Sequence, residues 1–149
     1  ITKRTKPHII RLLIKIMTYK YIIYPKLIYL GINSSINYKK TDIEKTSQQL
    51  TANKLDPHRI LVDCSHGNSQ KDHTRQPLVA EDVAKQVSAG STNIFGLMIE
   101  SHINEGRQNL TDPEALNYGQ SITDACLGWE QTSEVLNGLA KAVQARRQR

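Results

Sequence analysis

The sequence predicts an α/β fold in which parallel strands alternate with helices. Two short apolar runs start about 34 residues apart, which is the length of one β-α-β unit: 59–63, which contains β-branched residues, and 93–99, which Gly96 interrupts. Both runs are apolar on both faces, as is typical of a parallel sheet that is covered by helices. Two strands do not make a complete fold, so the pattern indicates the end of a larger α/β domain.

Three stretches with helical periodicity accompany the strands. Thr41 and Glu44 have the spacing of a capping box and predict a helix over 41–53. Residues 77–90 predict a second helix, with Pro in the first turn, valines at every fourth position and Gly at the end. After a long polar loop, residues 132–146 predict a last helix whose basic end suits its negative C-terminal dipole.

Composition divides the chain near residue 41. Residues 1–41 contain nine basic residues and no acidic one, whereas residues 42–149 contain eleven basic and fourteen acidic residues, a net charge of −3. Ile, Lys, Tyr and Asn fill 24 of the first 41 positions, where Ala and Val are absent. The formal net charge of +6 therefore arises from the first segment and says little about the partners of the rest.

Residues 1–36 allow several interpretations. The abrupt change of composition favours a non-native leader, produced by a frameshift or a misplaced start. Residues 9–30 are apolar enough to suggest a membrane anchor, but four basic residues interrupt them, and no apolar run approaches the ~18–20 residues of a spanning helix. A basic helix lying on anionic lipid and an arm that binds nucleic acid are the remaining alternatives.

The cysteine content excludes a disulfide scaffold. The chain has two cysteines, Cys64 and Cys126, which fits a reducing compartment and predicts a cytoplasmic location. Neither has a partner at metal-binding or redox spacing, so both are expected to be small apolar fillers. Gly and Pro are too sparse for a fibrous protein.

Polar residues follow both predicted strands at the point where each strand ends. His66 follows the first strand and Glu100 follows the second. Because active-site groups of parallel α/β folds lie at the carboxyl ends of strands, these two side chains are expected at one rim, where they could hold Mn, Fe, Co or Zn. Candidates for a third ligand lie in the following loop: Glu105, Asp112, Glu114 and Asp124.

Structural roles without a metal are alternatives for these residues. His66 could cap the next helix or bind a loop carbonyl, and Glu100 could form a surface ion pair with Arg107. The segment from Ser121 to Asp124 has the spacing of a capping box, which would make Asp124 part of a helix start.

Four stretches together resemble the class I 3-deoxy-D-arabino-heptulosonate 7-phosphate (DAHP) synthases. In chain order they are Val-Asp-Cys-Ser-His-Gly-Asn-Ser at 62–69, Gly-Leu-Met-Ile-Glu-Ser-His at 96–102, Glu-Gly-Arg-Gln at 105–108 and Tyr-Gly-Gln-Ser-Ile-Thr-Asp-Ala-Cys-Leu-Gly-Trp-Glu at 118–130. The resemblance runs from about residue 37 to the C-terminus, around three quarters of the chain. It implies that residues 37–149 are the C-terminal portion, the last two βα units, of a (β/α)8 TIM barrel.

The resemblance also implies an activity and a set of site residues. The activity is condensation of phosphoenolpyruvate with erythrose 4-phosphate, with release of phosphate, as the first step of the shikimate pathway. A divalent metal polarises the aldehyde. The metal ligands of the family that fall on this chain are His66, Glu100 and Asp124, which are therefore the expected catalytic residues. The intact enzyme is expected to be a homo-oligomer, with neither nucleic acid nor a membrane as a partner.

The sequence departs from the family upstream of residue 37. The family's fourth metal ligand, a Cys on an early strand, and the Arg and Lys residues that bind the substrate phosphates have no counterpart here. Residues 29–33 stand where the family has a Leu-Arg-Gly-Gly segment. The 149-residue chain is therefore expected to be an inactive fragment. Alternatives are a non-catalytic remnant that acts as an interaction module, and a membrane-surface protein anchored by residues 1–30.

Overall fold

The structure, a computed structural model, describes residues 28–31 and 35–149. The expectations for an anchor, a lipid-bound helix or a nucleic-acid arm fall mainly on residues 1–27, outside the described residues. Within the described part of the chain, no helix has both the length and the apolar character needed to cross a bilayer.

Three parallel strands form one sheet in the described residues. They are β1 (Ile28–Leu30), β2 (Ile60–Asp63) and β3 (Ile94–Met98), with β2 in the centre. Both apolar runs are thus confirmed as strands, and β1 is an addition that the sequence pattern did not predict. The pairing of β2 with β3 shifts between Ile60 and Leu61, so that one extra residue of β3 bulges out of the ladder.

Helices connect the strands and cover one face of the sheet. They are α1 (Lys40–Ala52), α2 (His66–Ser69), α3 (Gln76–Ser88) and α4 (Trp129–Arg147), with 3-10 turns at His73–Arg75 and Pro113–Ala115. The three long helices confirm the predicted ones, although α4 begins three residues earlier than predicted. It starts there because the side-chain oxygen of Gln131 accepts the N–H of Gly128 at 2.8 Å, which caps the first turn.

Of two predicted helix ends, the start of α1 differs in the structure and the end of α3 is confirmed. The capping box at Thr41 and Glu44 is wrong, because the N-cap is Lys39, whose N–H donates to Oδ2 of Asp42 at 3.1 Å. Gly90 is confirmed just beyond the end of α3, where its φ is +102°. There the N–H of Gly90 reaches the carbonyl of Val87, and the next N–H reaches that of residue 86, as in a Schellman motif.

The apolar core lies between the sheet and the helices. Every residue of β2 is buried, and its alternate residues Ile60 and Val62 join the core cluster. The valines of α3, Ile43 and Leu50 of α1, and Ala142 of α4 belong to the same cluster. Leu61 and Asp63 take the alternate positions of β2 and therefore face the opposite side of the sheet.

β1 brings an unexpected residue, Gly31, against the end of β2. Gly31 has a φ of +109°, and a Cβ placed there would lie 2.5 Å from Nδ2 of Asn68 and 2.8 Å from the carbonyl oxygen of Asp63. The carbonyl of Gly31 also accepts the N–H of Gly67 at 2.9 Å. Only glycine fits this conformation and this close approach, so Gly31 fixes where the chain passes the polar end of the sheet.

Changing Gly31 to Ala should destabilise the fold by about 1–3 kcal/mol, because the new methyl group meets backbone and the required φ is strained. Urea denaturation of the 149-residue chain measures this. The matched control is Gly138→Ala in α4, where a Cβ meets nothing within 4 Å. That change should stabilise the chain by about 1 kcal/mol, since Ala is the better helix former. Equal stability of the Gly31 variant and the parent chain would contradict the prediction.

Candidate metal centre

Three side chains converge at the carboxyl end of the sheet. His66 follows β2, Glu100 follows β3, and Asp124 lies in the loop before α4. Nε2 of His66 is 4.0 Å from Oε1 of Glu100 and 3.8 Å from Oδ2 of Asp124. One ligand atom from each of the three lies within 4.8 Å of the others, so the structure brings together all three residues named from the sequence.

The donor set suits a divalent transition metal. One imidazole nitrogen and two carboxylate oxygens are ligands that Mn, Fe, Co and Zn all accept. Donors at about 2.1 Å from an ion lie about 3.4 Å apart in tetrahedral geometry, so the observed separations need only a small contraction around an ion. The side chain of Asp124 is 66% exposed, whereas those of His66 and Glu100 are about one-third exposed (35% and 32%), so the cluster opens towards solvent on the Asp124 side.

A buried carboxylate, Asp63, orients the imidazole. The Nδ1–H of His66 donates to Oδ2 of Asp63 at 2.7 Å, because a carboxylate can only accept. This leaves Nε2 as the lone-pair nitrogen that faces Glu100 and Asp124. Asp63 is 1% exposed, and its other oxygen accepts the N–H of Ser65 at 2.8 Å. A carboxylate behind a histidine is the usual partner of a metal-binding imidazole.

The backbone at His66 is strained in a way that aims the ring. His66 has a φ of +42°, in the left-handed region that residues other than glycine seldom adopt. The hydrogen bonds of Ser65 to Asp63 and of Gly67 to Gly31 hold the chain on both sides of it. Strain of this kind persists where the surrounding contacts over-determine the conformation, and it clusters at functional sites.

The charges of the cluster are coupled. Burial of the ring lowers the pKa of His66, but the hydrogen bond to Asp63 and the negative charges of Asp63, Glu100 and Asp124 outweigh it, so that its pKa lies above the ordinary value. Burial raises the pKa of Glu100 above its ordinary value, and Asp124 and Asp63 add to the rise while His66 opposes it. The negative charges of these two carboxylates repel each other, and a divalent cation bound between them would remove this repulsion.

The loop that carries Asp124 is held by backbone pairing, not by a helix. Residues 121–127 are not helical in the structure, so the capping-box interpretation of Ser121 and Asp124 is wrong. Instead, Gly106 and Cys126 exchange two N–H to carbonyl hydrogen bonds, at 2.8 and 3.1 Å. The N–H of Leu127 then donates to the carbonyl of Glu100 at 2.9 Å, which fixes the loop beside β3.

Two of the other candidate ligands, Glu105 and Asp112, take different partners. Glu105 pairs with Nε2 of His73 at 3.1 Å. Asp112 accepts the N–H of Glu114 at the start of a 3-10 turn. Among the ion pairs of the described residues, the partner of Glu100 is His66 and not Arg107. Of the four loop acids, Asp124 therefore joins the cluster.

Neither cysteine belongs to the cluster. Cys64 is fully buried in the apolar core, as the sequence predicted, and burial raises the pKa of its thiol. Cys126 is also buried, its Sγ donates to the carbonyl of Asp124 at 3.4 Å, and burial raises the pKa of its thiol. The group of potential ligands that converge in the described residues is His66, Glu100 and Asp124, without either thiol.

A sequence profile described as the DAHP synthetase I family matches residues 12–137. The chain belongs to this family. The match begins inside the segment 1–36, and β1 also lies there. The interpretation of that segment as a leader foreign to the family stays a prediction.

Named relatives agree with the family. A tyrosine-inhibited phospho-2-dehydro-3-deoxyheptonate aldolase of Schizosaccharomyces pombe is 49% identical over 116 residues, which cover 75% of this chain and 31% of the relative. A phospho-2-dehydro-3-deoxyheptonate aldolase of Haemophilus influenzae is 46% identical over 121 residues, covering 81% and 33%.

A solved structure is similar over the same region. The phospho-2-dehydro-3-deoxyheptonate aldolase of Francisella tularensis superposes with a TM-score of 0.70 at 40% identity, over 76% of this chain and 32% of that one. The chain thus spans about a third of the length of the relatives it matches.

Proposed function

We propose that this chain supplies part of the metal centre of a DAHP synthase, with His66, Glu100 and Asp124 as ligands of one divalent ion. The observation that carries the proposal is the convergence of Nε2 of His66 with one oxygen of each carboxylate, in a member of the DAHP synthetase I family. The oriented imidazole supports it further, because Asp63 fixes the ring with Nε2 directed at the carboxylates.

The proposed reaction joins phosphoenolpyruvate to erythrose 4-phosphate. C3 of phosphoenolpyruvate forms a bond to the aldehyde carbon, one water is consumed and inorganic phosphate leaves. A bound divalent ion would supply Lewis-acid polarisation of the aldehyde oxygen. The residues of this chain contribute the cradle: Glu100 and Asp124 supply negative charge, and His66 supplies a neutral donor that Asp63 keeps in one orientation.

We place these residues in the last βα units of a (β/α)8 barrel. The parallel order of the strands supports this, as do the helices on one face of the sheet. Leu61 and Asp63 would then face the barrel interior, and His66 and Glu100 would stand at the carboxyl rim, where the active sites of such barrels lie. β1 would be the strand that precedes β2 in the barrel.

Replacing Asp63 with Asn should weaken Mn²⁺ binding by about 10–100-fold, which is typical for loss of the partner behind a metal-binding histidine. The amide keeps the shape but can present an N–H where the carboxylate accepted, so His66 loses its fixed orientation. Titration of the chain with Mn²⁺, followed by electron paramagnetic resonance, measures the affinity.

Asp56→Asn is the matched control, since Asp56 also accepts hydrogen bonds, from the N–H of His58 and from Arg59, but precedes the amino end of β2. Its Mn²⁺ affinity should equal that of the parent chain. An unchanged affinity in the Asp63 variant would exclude a role of Asp63 in holding the ligand.

A further inference from the structure

Gln76 is a fully buried polar side chain that no predicted role accounts for. It is the first residue of α3 and is 0% exposed. Its amide makes two hydrogen bonds to the backbone of Glu100: Oε1 accepts the N–H of Glu100 at 2.8 Å, and Nε2 donates to the carbonyl of Glu100 at 3.1 Å. A buried amide whose donor and acceptor both serve one peptide is well suited to hold that peptide in place.

The position of these bonds explains their effect. The last β2–β3 hydrogen bond near this rim runs from the N–H of Cys64 to the carbonyl of Met98 at 2.8 Å, two residues before Glu100. Beyond this point Glu100 has left the strand ladder. The amide of Gln76 offers the same donor and acceptor pair that a neighbouring strand would offer. It therefore extends the rigid backbone of β3 as far as the carboxylate-bearing residue.

The carbonyl of Glu100 also links the loop that carries Asp124 to Gln76. It accepts the N–H of Leu127 at 2.9 Å, in addition to the bond from Gln76. The N–H of His102 returns to the carbonyl of Leu127 at 2.9 Å, so this segment is paired with the chain after Glu100. Asp124 lies three residues before Leu127. A shift of the Glu100 peptide would therefore displace Asp124 as well.

We propose that Gln76 is a positioning residue that fixes both carboxylates, Glu100 directly and Asp124 through Leu127, close enough to each other to bind one divalent ion. This inference rests on the proposed metal centre. Gln76 acts from behind the site, on backbone atoms, and provides no metal ligand itself.

Gln76→Met tests the proposal, because it keeps the length of the side chain and removes both hydrogen bonds. The 149-residue variant should bind Mn²⁺ about 10–100-fold more weakly, as for other partners that orient ligands. With saturating Co²⁺, its visible absorption bands should differ in position or intensity from those of the parent chain, because the carboxylates no longer hold the same geometry. Gln76→Asn, which retains the amide but is one methylene shorter, provides a second variant with the same expected result.

Gln86→Met is the matched control. Gln86 lies on the same helix, and its Nε2 likewise donates to a backbone carbonyl, that of Tyr38, at 2.8 Å, far from the carboxylates in the chain. It should leave the Mn²⁺ affinity and the Co²⁺ bands unchanged, with circular dichroism showing that all variants are folded.

Amide hydrogen exchange separates this proposal from the metal centre itself. In the metal-free chain, the N–H groups of Glu100 and Leu127 should exchange at least about 10-fold faster in the Gln76 variants than in the parent, because both lose the support of the amide. If the parent chain binds no Mn²⁺, the proposed metal centre fails, and unchanged exchange at these two amides then overturns the role of Gln76 separately. If the parent binds Mn²⁺ and the folded Gln76 variants bind it equally well, the positioning role is overturned.

Discussion

Replacing Glu100 with Gln should weaken Mn²⁺ binding by more than about 100-fold, beyond the 10–100-fold typical of residues that only orient a ligand. Gln has nearly the same shape as Glu but lacks the negative charge and binds a divalent ion weakly. Burial raises the pKa of Glu100, which means that it destabilises the ionised carboxylate. His66 opposes this effect, and a bound cation would stabilise the ionised form further. His66→Asn and Asp124→Asn should each reduce the affinity in the same way, since the three donors face one point.

Glu81→Gln is the control for these variants. Glu81 is an exposed residue of α3 that pairs with Lys85 at 2.8 Å, so it carries the same chemical change on the helix surface. Its Mn²⁺ affinity should match that of the parent chain when all are measured by the same titration. If each of the three ligand variants also binds Mn²⁺ as the parent does, the assignment of the site is wrong.

The strands were predictable because local composition and tertiary position agree. Residues 60–62 are Ile, Leu and Val, and every residue of β2 is buried in the centre of the sheet, so the apolar run carries its own signal. The valine stripe of α3 is equally direct, since it faces the core at helical spacing. In both cases the physical cause is the burial of a periodic apolar surface, and the residues that form this surface lie within one short segment of the chain.

β1 could not be predicted in the same way. It has three residues, Ile-Tyr-Leu, and lies in the segment whose unusual composition favoured its interpretation as a non-native leader. Its hydrogen-bonding partner is β2, which pairs Ile28 with Ile60, 32 residues further along the chain. In so short a strand, pairing with β2 contributes more than local preference, so the residues of β1 give a weak signal.

The site residues also differ in whether local sequence or long-range contacts determine their position. His66 and Glu100 were predictable from the residues alone, because strand ends meet at one rim. Asp124 was not, since its approach depends on the backbone bond from Leu127 to Glu100, and only the family resemblance selected it among four acids.

Two supporting residues were missed altogether. Asp63 lies three residues before His66, a spacing that could have indicated a carboxylate behind the imidazole. Gln76 gave no signal, because its partner is a backbone peptide 24 residues away.

The 149-residue polypeptide by itself should show no measurable DAHP synthase turnover. It spans about a third of the matched relatives, and its described residues bring together three ligands, whereas the resemblance implies a fourth, a Cys. The resemblance places the Arg and Lys residues that bind the substrate phosphates upstream of residue 37, and such groups supply much of the positioning and charge stabilisation in catalysis. The assay is phosphate release from phosphoenolpyruvate with erythrose 4-phosphate and excess Mn²⁺. Turnover at ordinary enzyme rates, about 1–10³ per second, would contradict the prediction.

A chimaera tests whether the cluster of His66, Glu100 and Asp124 still supports catalysis in a full-length enzyme. Residues 35–149 would replace the matching segment of the Haemophilus influenzae relative, which is 46% identical over the aligned region. The relative then provides the two thirds of its own length that lie outside the match, so the chimaera should turn over if the cluster of His66, Glu100 and Asp124 is functional. Glu100→Gln in the chimaera should abolish that turnover, whereas Glu81→Gln should not. A folded chimaera that binds Mn²⁺ yet releases no phosphate would instead favour the interpretation of this chain as a non-catalytic remnant. In that case the metal-binding cluster would be intact, but the residues around it would no longer support the reaction.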